Sequence, residues 1–327
     1  MKLDMKHLFV SLALTICFLC GIIQHSNAEI PNVISMTLLE PDNNYNSRAF
    51  TSLAKYNDKY NLFYAARSSY DKSYALFMRS AHTIQGLVTA PEQLILSPET
   101  IQADMVWMPY IVKKDHEFYI FFTARRGSIS PKGEFDEFVM VMTSNDLVEF
   151  DISETPIIQP KLKWEGSEIE NWGVIKVGEE YYMSLESRGP TQQEEARSIG
   201  YASSKDLRNW ERAGKQPSIT GGVCCSSFFV YEEEFYSIAA NGNRFAVHKA
   251  ASFLKLQDEN LIGYFYPHGR TYQGAVDTPE VITATSEKIV QSEQDFLLMF
   301  SSTNGGWSTH MMSFATTDAF LSSLQLD

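Results

Sequence analysis

One aromatic-rich pattern recurs five times along this chain, about every sixty residues. Each copy is a short, mostly apolar run, and several copies follow a polar turn such as Asn57-Asp58-Lys59. Apolar runs of this length, entered from a turn, predict buried β-strands that begin at hairpins. Residues at equivalent places in the copies are Phe63, Tyr119, Tyr182, Tyr236 and Leu297. Such a repeat predicts similar units that pack side by side and bury one another's apolar faces.

A further strand is predicted after each aromatic copy, and a recurring turn closes the unit. The predicted strands cover residues 74–80, 138–143, 198–203, 244–249 and 309–315. In the closing turn, an acidic residue such as Asp146 or Asp206 can cap the backbone through its side chain. Roughly four strands of five to six residues, with their connections, fill such a unit. We therefore predict an all-β fold, a five-bladed β-propeller of four-stranded antiparallel blades, with a many-stranded β-sandwich as the alternative.

Residues 1–28 have the pattern of a secretory signal peptide. A basic start precedes an apolar run over residues 8–23, and a short polar segment then ends in small residues. The run is too short to be a good membrane anchor, and lipoprotein processing at Cys17 or Cys20 is the alternative to simple cleavage. We predict removal of this segment, one propeller domain over residues 29–327, no membrane span, and a secreted or periplasmic location.

Charge and cysteine content exclude several classes of protein. The formal net charge is −13 at pH 7, and an acidic surface repels phosphate backbones, so no nucleic acid partner is predicted. After signal cleavage only Cys224 and Cys225 remain, which excludes a disulfide framework and leaves either a strained vicinal disulfide or two buried thiols. Motifs for metal binding, nucleotide binding or a nucleophilic serine do not occur in the sequence, so no metal and no cofactor are predicted.

Two motifs carry a resemblance to a known group of proteins. One is the Ser-x-Asp-Leu-x-x-Trp close at residues 204–210, and the other is Trp107-Met108-Pro109 followed by the aromatic run at 118–122. Over about residues 50–321 the chain resembles the five-bladed glycosidase propellers of the arabinanase, β-xylosidase and invertase group. The resemblance implies a carboxylate on the innermost strand of each of three blades, facing a central funnel that binds a carbohydrate.

The sequence departs from that pattern at the catalytic positions. The acids that the resemblance implies fall near Phe50, Asn171 and Cys225, and none of these residues is a carboxylate. In the second blade the chain has Tyr110 where relatives often have an Asp. Either the acids have shifted by a residue or two, or the chemistry differs, or the propeller only binds its ligand.

Three nearby carboxylates are the candidate catalytic residues. Glu170 lies one residue from an expected position and ranks first, and a solvated pair with Glu168 on an entry loop is the alternative. Asp104 precedes Trp107 and could gain the raised pKa that a general acid needs, although it could equally cap a turn. Asp277 opens the fifth blade and could face the funnel in the same way.

Eight further residues are candidates for binding the substrate: Trp107, Tyr110, Trp172, Arg48, Glu168, Glu280, Cys225 and His268. The aromatic rings could stack on sugar faces, although core packing would also bury them. Arg48 could hold a substrate carboxylate or form a structural ion pair. Cys225 would give the pocket an apolar and polarisable wall, and His268 lies in a loop that could reach the ligand.

The leading hypothesis is a secreted glycosidase-like hydrolase that acts on an oligosaccharide or glycoside in the central funnel. The first alternative is a non-catalytic carbohydrate-binding propeller. The second is a non-hydrolytic enzyme that uses the same funnel for a small organic molecule, with tyrosine and carboxylate as acid and base. The missing acids favour the alternatives, whereas the acid-rich blade entrances favour the hydrolase.

Overall fold

The computed structural model of the protein describes residues 33–70, 73–127, 136–190, 197–220, 223–283, 296–303 and 306–326. The predicted signal peptide, with its two cysteines, lies outside these residues. From Ile34 onward the chain forms one compact unit. In the ranges given above, no helix is long and apolar enough to cross a membrane.

Antiparallel β-strands make up nearly all of the regular structure in the described residues. In chain order they are β1 (Ile34–Leu39), β2 (Tyr45–Tyr56), β3 (Lys59–Ser68), β4 (Tyr74–Ala81), β5 (Gln93–Leu96), β6 (Met105–Lys114), β7 (Glu117–Arg126), β8 (Asp136–Ser144), β9 (Asp151–Ile152), β10 (Glu170–Val177), β11 (Glu180–Ser187), β12 (Ser198–Ser204), β13 (Glu211–Arg212), β14 (Cys224–Tyr231), β15 (Glu234–Asn241), β16 (Arg244–Ala250), β17 (Leu261–Phe265), β18 (Val276–Thr283), β19 (Phe296–Thr303) and β20 (Trp307–Phe314). One short α-helix, α1 (Thr317–Leu321), follows the last of these strands. Short 3₁₀ turns cover Gln85–Val88, Pro98–Ile101, Lys163–Glu165, Phe253–Lys255 and Asp258–Asn260.

Strand pairing divides these strands into five consecutive antiparallel groups. Three groups are separate four-stranded sheets, namely β6 to β9, β10 to β13 and β14 to β17. The groups β2 to β5 and β18 to β20 share a sheet, because Ser47 and Trp307 form a parallel bridge, and β1 pairs with β20. The equivalent residues of the aromatic repeat all lie in second strands: Phe63, Tyr119, Tyr182, Tyr236 and Leu297. The predicted all-β fold of four-stranded antiparallel sheets is confirmed, and the count of five blades about one axis stays a prediction.

The first strand of each group contacts the first strand of the next group, and β18 contacts β2. Polar side chains connect these strands. Ser52 donates a hydrogen bond to Glu280 Oε1 at 2.8 Å and accepts one from the Ile111 amide at 3.1 Å. Ser227 accepts a hydrogen bond from the Val281 amide at 3.0 Å. Because these buried backbone and side-chain groups are satisfied, the first strands can pack against one another without an energetic penalty for lost water.

A β-bulge interrupts every first strand near its start. In four strands a non-glycine residue in the bulge has left-handed backbone dihedrals: Phe50 (φ 58°), Met108 (φ 57°), Cys225 (φ 58°) and Thr278 (φ 50°). This conformation costs about 1–2 kcal/mol for a residue with a side chain, so the surrounding packing has to hold it in place. A bulge bends the strand and changes the direction of nearby side chains, and bulges are frequent beside active sites.

The closing turns have the capping role that the sequence predicted. Asp206 Oδ1 accepts a hydrogen bond from the Asn209 amide at 2.7 Å, and this bond with its neighbours holds the pKa of Asp206 well below its usual range. Asp146 caps the equivalent turn of the preceding group through two backbone amides. The Trp210 ring then packs edge-on against Phe121, with the ring centres 5.7 Å apart. The turn therefore fixes the outer strand to the aromatic core.

Candidate active site

A cavity of about 310 Å³ lies at the starts of the first strands. Two carboxylates, three indole rings and four guanidinium groups are among its lining groups: Glu170, Asp277, Trp107, Trp172, Trp307, Arg67, Arg125, Arg188 and Arg197. We call this space the Glu170 cavity. Two of the three predicted catalytic acids and two of the predicted aromatic residues therefore surround one space.

Glu170 and Asp277 reach the cavity from the first strands of different groups. Glu170 opens β10 and is 4% exposed. Asp277 is the second residue of β18 and is half-buried. Its Oδ1 atom accepts hydrogen bonds from the Thr278 amide at 2.9 Å and from the Cys224 thiol at 3.4 Å. Both acids lie within a residue or two of a bulge, where the local backbone turns their side chains towards the cavity.

Asp104 does not belong to this site. The residue is exposed, and its Oδ2 atom accepts a hydrogen bond from the Gly127 amide at 2.7 Å. Its carbonyl oxygen accepts a second one from the Ser73 hydroxyl at 2.6 Å. Asp104 therefore makes the turn-capping contact that was the alternative from sequence, and it is not among the residues that line the Glu170 cavity.

Tyr110 and Glu280 have structural roles. The Tyr110 hydroxyl donates to the Val174 carbonyl at 3.2 Å inside an apolar cluster. Glu280 is 1% exposed and accepts hydrogen bonds from the Ser52 hydroxyl and from the Leu53 amide, at 2.8 and 3.0 Å. Both residues line a second, small space of about 10 Å³, which is too small for a sugar, and neither lines the Glu170 cavity.

Arg48 and His268 also lie outside the lining of the Glu170 cavity. Arg48 is 3% exposed, and its Nη2 atom donates to Asp42 at 2.7 Å and to Glu92 at 2.8 Å. This is the structural ion pair that the sequence left open. His268 Nε2 lies 3.3 Å from the Ser302 hydroxyl, and its ring packs 4.6 Å from the Tyr272 ring. Neither side chain is placed to hold a ligand in this cavity.

Three buried carboxylates lie directly behind the arginines of the cavity wall. Glu186 Oε1 accepts a hydrogen bond from Arg197 at 2.6 Å, and its Oε2 accepts one from the Cys225 amide at 2.7 Å. Glu137 accepts a hydrogen bond from Arg125 Nε at 2.5 Å, and Glu168 accepts one from the backbone amide of Arg188 at 2.6 Å. All three glutamates are at most 1% exposed. Glu168 therefore supports the wall from behind and is not among the residues that line the cavity.

Burial perturbs the protonation of these glutamates. It raises the pKa of Glu137 and of Glu168 above the usual value, and the negative charge of Glu170 adds to this rise. Burial also raises the pKa of Glu186 to about 8 against the opposing effect of Arg197, with Glu170 contributing further. Burial acts to lower the pKa of Arg197, but Glu186, the two cysteines and Glu170 together raise this pKa above its usual value, so the guanidinium stays charged. Burial and Glu170 therefore act against the ionised form of these three acids, whereas their ion pairs with the arginines act in its favour.

Trp107 and Trp172 form two aromatic sides of the cavity. The Trp107 ring lies 5.0 Å from the guanidinium of Arg125, a cation–π contact that fixes both side chains. The Trp172 ring lies 6.0 Å from the Phe50 ring. Among the described residues the Nε1 atom of Trp172 is buried without a hydrogen-bond partner. These rings are 4% and 7% exposed, so they combine core packing with a place on the cavity surface.

Cys224 and Cys225 are free cysteines beside the acids of the site. Cys225 is fully buried and Cys224 is half-buried. The Cys225 side chain acts to lower the pKa of Cys224, but burial together with Asp277 and Glu186 raises it to about 12. Ligand atoms of Glu186 and the two cysteines lie within 4.8 Å of one another, a group that could hold a metal ion. The guanidinium of Arg197 already balances the negative charge of Glu186, so these three residues do not need a metal ion to balance their charge.

The arginines, Glu186 and Trp307 were missed from the sequence. A signal for some of them exists in the repeat, because a charged residue follows the aromatic run in three copies, at Arg67, Arg125 and Glu186. Strand register brings these residues to the start of the neighbouring first strand. Glu186 lies opposite Glu170, and Arg125 lies opposite Met105.

No family model matches the sequence, and no curated protein matches it. Several solved structures have a similar fold. Trypanosoma rangeli sialidase, in complex with sialic acid, is 9% identical over 90% of this chain with a TM-score of 0.57, and the chain spans 60% of that protein. Zg3597, a family 117 glycoside hydrolase of the marine bacterium Zobellia galactanivorans, is 13% identical with a TM-score of 0.63, covering 88% of this chain and 91% of that one. An α-L-arabinofuranosidase from Lactobacillus brevis is 13% identical with a TM-score of 0.58, covering 82% and 90%.

These similar structures are glycosidases with propeller folds. The chain has a β-propeller fold. The resemblance based on the Trp107 motif and on the close at residues 204–210 is therefore confirmed at the level of fold. At these identities the similarity does not extend to substrate or residue roles.

Proposed function

We propose that this protein is a secreted glycoside hydrolase that cleaves a glycoside bound in the Glu170 cavity. One observation carries the proposal: Glu170 and Asp277, from the first strands of two different groups, line the same cavity as Trp107 and Trp172. Hydrolysis of a glycosidic bond requires two carboxyl groups on either side of that bond. Aromatic faces beside them suit the C–H surface of a sugar ring.

Hydrogen bonding suggests how the two acids divide the work. Asp277 accepts hydrogen bonds from the Thr278 amide and the Cys224 thiol, contacts that suit an ionised carboxylate. In our proposal Asp277 is therefore the base or nucleophile. Glu170 then protonates the leaving oxygen of the glycoside as its bond to the anomeric carbon breaks. Either Asp277 takes a proton from the water that attacks this carbon, or Asp277 attacks it directly and the ionised Glu170 then takes a proton from the water that hydrolyses the glycosyl ester.

The proposal is tested by assaying the secreted protein on a panel of aryl glycosides and polysaccharides. In Glu170→Gln and Asp277→Asn we expect the rate to fall at least about a hundredfold, because each substitution removes a proton-transferring group. Asp104→Asn is the matched control, since it makes the same chemical change at an exposed acid outside the cavity. Equal activity of Glu170→Gln and the wild-type protein would refute the assignment, and so would a loss of activity in Asp104→Asn of the same size.

A carbohydrate-binding propeller without catalysis is the second candidate. A specific observation favours it: Ala49 and Cys224 occupy the positions before the bulge that correspond to Asp277. Binding of sugars without turnover on the whole panel would establish this alternative. The non-hydrolytic enzyme has less support, because the hydroxyl of Tyr74, the tyrosine that lines the cavity, already donates a hydrogen bond to Ser47 Oγ at 3.2 Å.

A further inference from the structure

Three second strands carry a buried side chain that caps the bulge of the next group. Each of these residues lies opposite a residue that lines the Glu170 cavity, and each accepts a hydrogen bond from a backbone amide at the bulge: Thr123 from Asn171 at 3.3 Å, Ser301 from Phe50 at 3.3 Å and Glu186 from Cys225 at 2.7 Å. Thr123 and Ser301 show that a hydroxyl group is enough for this cap. The carboxylate of Glu186 therefore needs a second explanation.

Glu186 also holds Arg197, which a hydroxyl group could not hold as an ion pair. Glu186 is 1% exposed, and its Oε1 atom accepts a hydrogen bond from Arg197 Nη1 at 2.6 Å. A buried carboxylate without an opposite charge is costly, and even a paired one adds little net stability, because both charges lose their water. The effect of this pair therefore lies in where it holds the guanidinium group, at the surface of the Glu170 cavity.

Glu170 is the cross-strand neighbour of Glu186. The two residues lie directly opposite each other on β10 and β11, so their side chains share one face of the sheet. Like charges in this arrangement repel each other, and burial keeps solvent from screening them. The charge of Glu170 also contributes to the raised pKa of Arg197, so the guanidinium lies within electrostatic reach of Glu170.

The proposed reaction would increase the repulsion around Glu170. Glu170 gives its proton to the leaving oxygen, which keeps the electron pair of the broken glycosidic bond, and a negative charge is left on the Glu170 carboxylate. This charge develops opposite Glu186 and near Glu137 and Glu168, whose pKa values Glu170 acts to raise. A positive charge that is already fixed there lowers the barrier, because it stabilises charge that forms only as the proton is transferred.

We propose that Glu186 is a positioning residue that holds Arg197 beside Glu170, so that the guanidinium group balances the charge left on Glu170 when its proton is transferred. Glu186 is not among the residues that line the cavity, and it acts through Arg197. The inference rests on the proposed function, in which Glu170 is the general acid. It adds the pair of residues that makes this acid able to give up its proton among other carboxylates.

The test compares two glycosides whose leaving groups differ in their need for a proton. A phenolate leaves with the help of an acid, whereas a dinitrophenolate is stable enough to leave without it. Both glycosides carry the sugar on which the wild-type protein is active. In Glu186→Thr, which keeps a hydroxyl group for the cap, kcat/KM should fall about a hundredfold on the phenyl glycoside and less than about tenfold on the dinitrophenyl glycoside. Arg197→Met should give the same pattern, and Arg197→Lys, which keeps the charge, should recover part of the loss.

The double variant Glu186→Thr/Arg197→Met tests whether Glu186 acts through Arg197. Its loss should equal that of either single variant, because both substitutions remove the same charge from the same place. The double variant leaves neither partner of the buried pair without the other, so it decides the test if Glu186→Thr does not fold. Circular dichroism shows which variants are folded.

Glu165→Gln is the matched control. Glu165 is fully buried and pairs with Arg212 Nε at 2.8 Å, and neither residue lines the Glu170 cavity. The substitution therefore disturbs the same kind of ion pair away from the acids. It should leave kcat/KM unchanged on both glycosides.

The outcomes separate this inference from the proposed function. Wild-type rates in folded Glu186→Thr would overturn the inference and keep the hydrolase. An equal loss on both glycosides would also overturn it, because a general disturbance of the site does not distinguish leaving groups. A much larger loss in the double variant than in the single ones, or the same selective loss in Glu165→Gln, would do the same. If the wild-type protein hydrolyses no glycoside, the hydrolase and the inference both fail, since Glu170 then transfers no proton.

Discussion

A buried histidine should make this protein sensitive to mild acid. His248 lies on β16, is 3% exposed, and has Nδ1 3.4 Å from the Ser237 hydroxyl of the neighbouring strand. Burial lowers the pKa of His248 to about 4, with a small opposing effect from Asp258. The perturbation we consider is His248→Gln, which keeps a polar side chain that does not titrate.

The sign and size of the effect follow from the shift. The pKa of the histidine is lower in the folded protein than in the unfolded chain, where it is about 6.5. Between these values the unfolded chain binds the proton more readily, so stability is complete above pH 6.5 and falls as the pH drops towards 4. The full shift corresponds to ~3 kcal/mol, and the part that is lost on going to pH 5 is about 2 kcal/mol.

The assay is urea unfolding followed by tryptophan fluorescence at pH 7.5 and pH 5. Other groups also titrate in this range, so the quantity of interest is the difference in free energy of unfolding between the two pH values, compared between variants. For the wild-type protein this difference should exceed that of His248→Gln by about 2 kcal/mol. His116→Gln makes the same change at an exposed turn and should behave like the wild type.

Equal pH dependence in the wild type and in His248→Gln would refute the reasoning. It would mean that the imidazole takes up its proton in the folded state without cost, through water or a rearranged Asp258. A larger pH dependence in the variant would also contradict it. The absolute stability of His248→Gln at pH 7.5 does not enter the test, because packing defects at one site are common to both pH values.

Two further predictions concern the core and the cysteines. Phe320→Ala should lower the free energy of unfolding by about 3–5 kcal/mol, because Phe320 is fully buried and stacks 4.3 Å from Phe296; Phe320→Leu should lose far less, and equal losses in urea unfolding would contradict this. Cys224 and Cys225 should both be alkylated in denaturant without a reductant, whereas Cys225 should stay unmodified in the native protein because it is fully buried. Intact mass measures both reactions, and unmodified cysteines in denaturant would reveal a vicinal disulfide.

The fold could be predicted because its signals are local and repeated. Each aromatic run forms a second strand, and each Asp-Leu turn closes an outer strand, so five similar segments reinforce one interpretation. Asp146 and Asp206 are clear cases, since an aspartate in a tight turn needs only the next few amides to satisfy it. These signals span only a few residues, so they can be recognised in the sequence without knowledge of the rest of the molecule.

The site could be predicted only in part, because strand register assembles it. Glu170 and Asp277 were found by their closeness to the expected positions, but Arg67, Arg125 and Glu186 lie on the second strands and become neighbours of the acids only through pairing. The residues that lie opposite them on the first strands are distant in sequence. A search along the chain treats these residues as ordinary strand ends.

The bulges explain why the acids seemed to be displaced by a residue. Counting back from an aromatic strand assumes a regular ladder, in which alternate side chains face one side. Each first strand instead carries at least one extra residue, so alternate side chains point to the opposite face beyond the bulge. In β18 the register shifts between Asp277 and Glu280, and in β6 it shifts between Trp107 and Tyr110.

In two first strands, β6 and β18, the residue before the bulge lines the cavity, and in β10 the lining residues are Glu170 and Trp172, on either side of Asn171. Asp277 and Trp107 both hold that position and line the cavity, whereas Glu280 and Tyr110, beyond the same bulges, are committed to packing. The left-handed residue between them costs free energy in the folded state, and the hydrogen bonds between first strands keep it there. The protein's own hydrogen bonds, and not a ligand, hold this left-handed residue in place. Substitutions just before the bulge can therefore change the chemistry of the cavity while the propeller stays intact. Cys224, at the same position of β14, is an instance in which an apolar thiol stands where β18 has an acid.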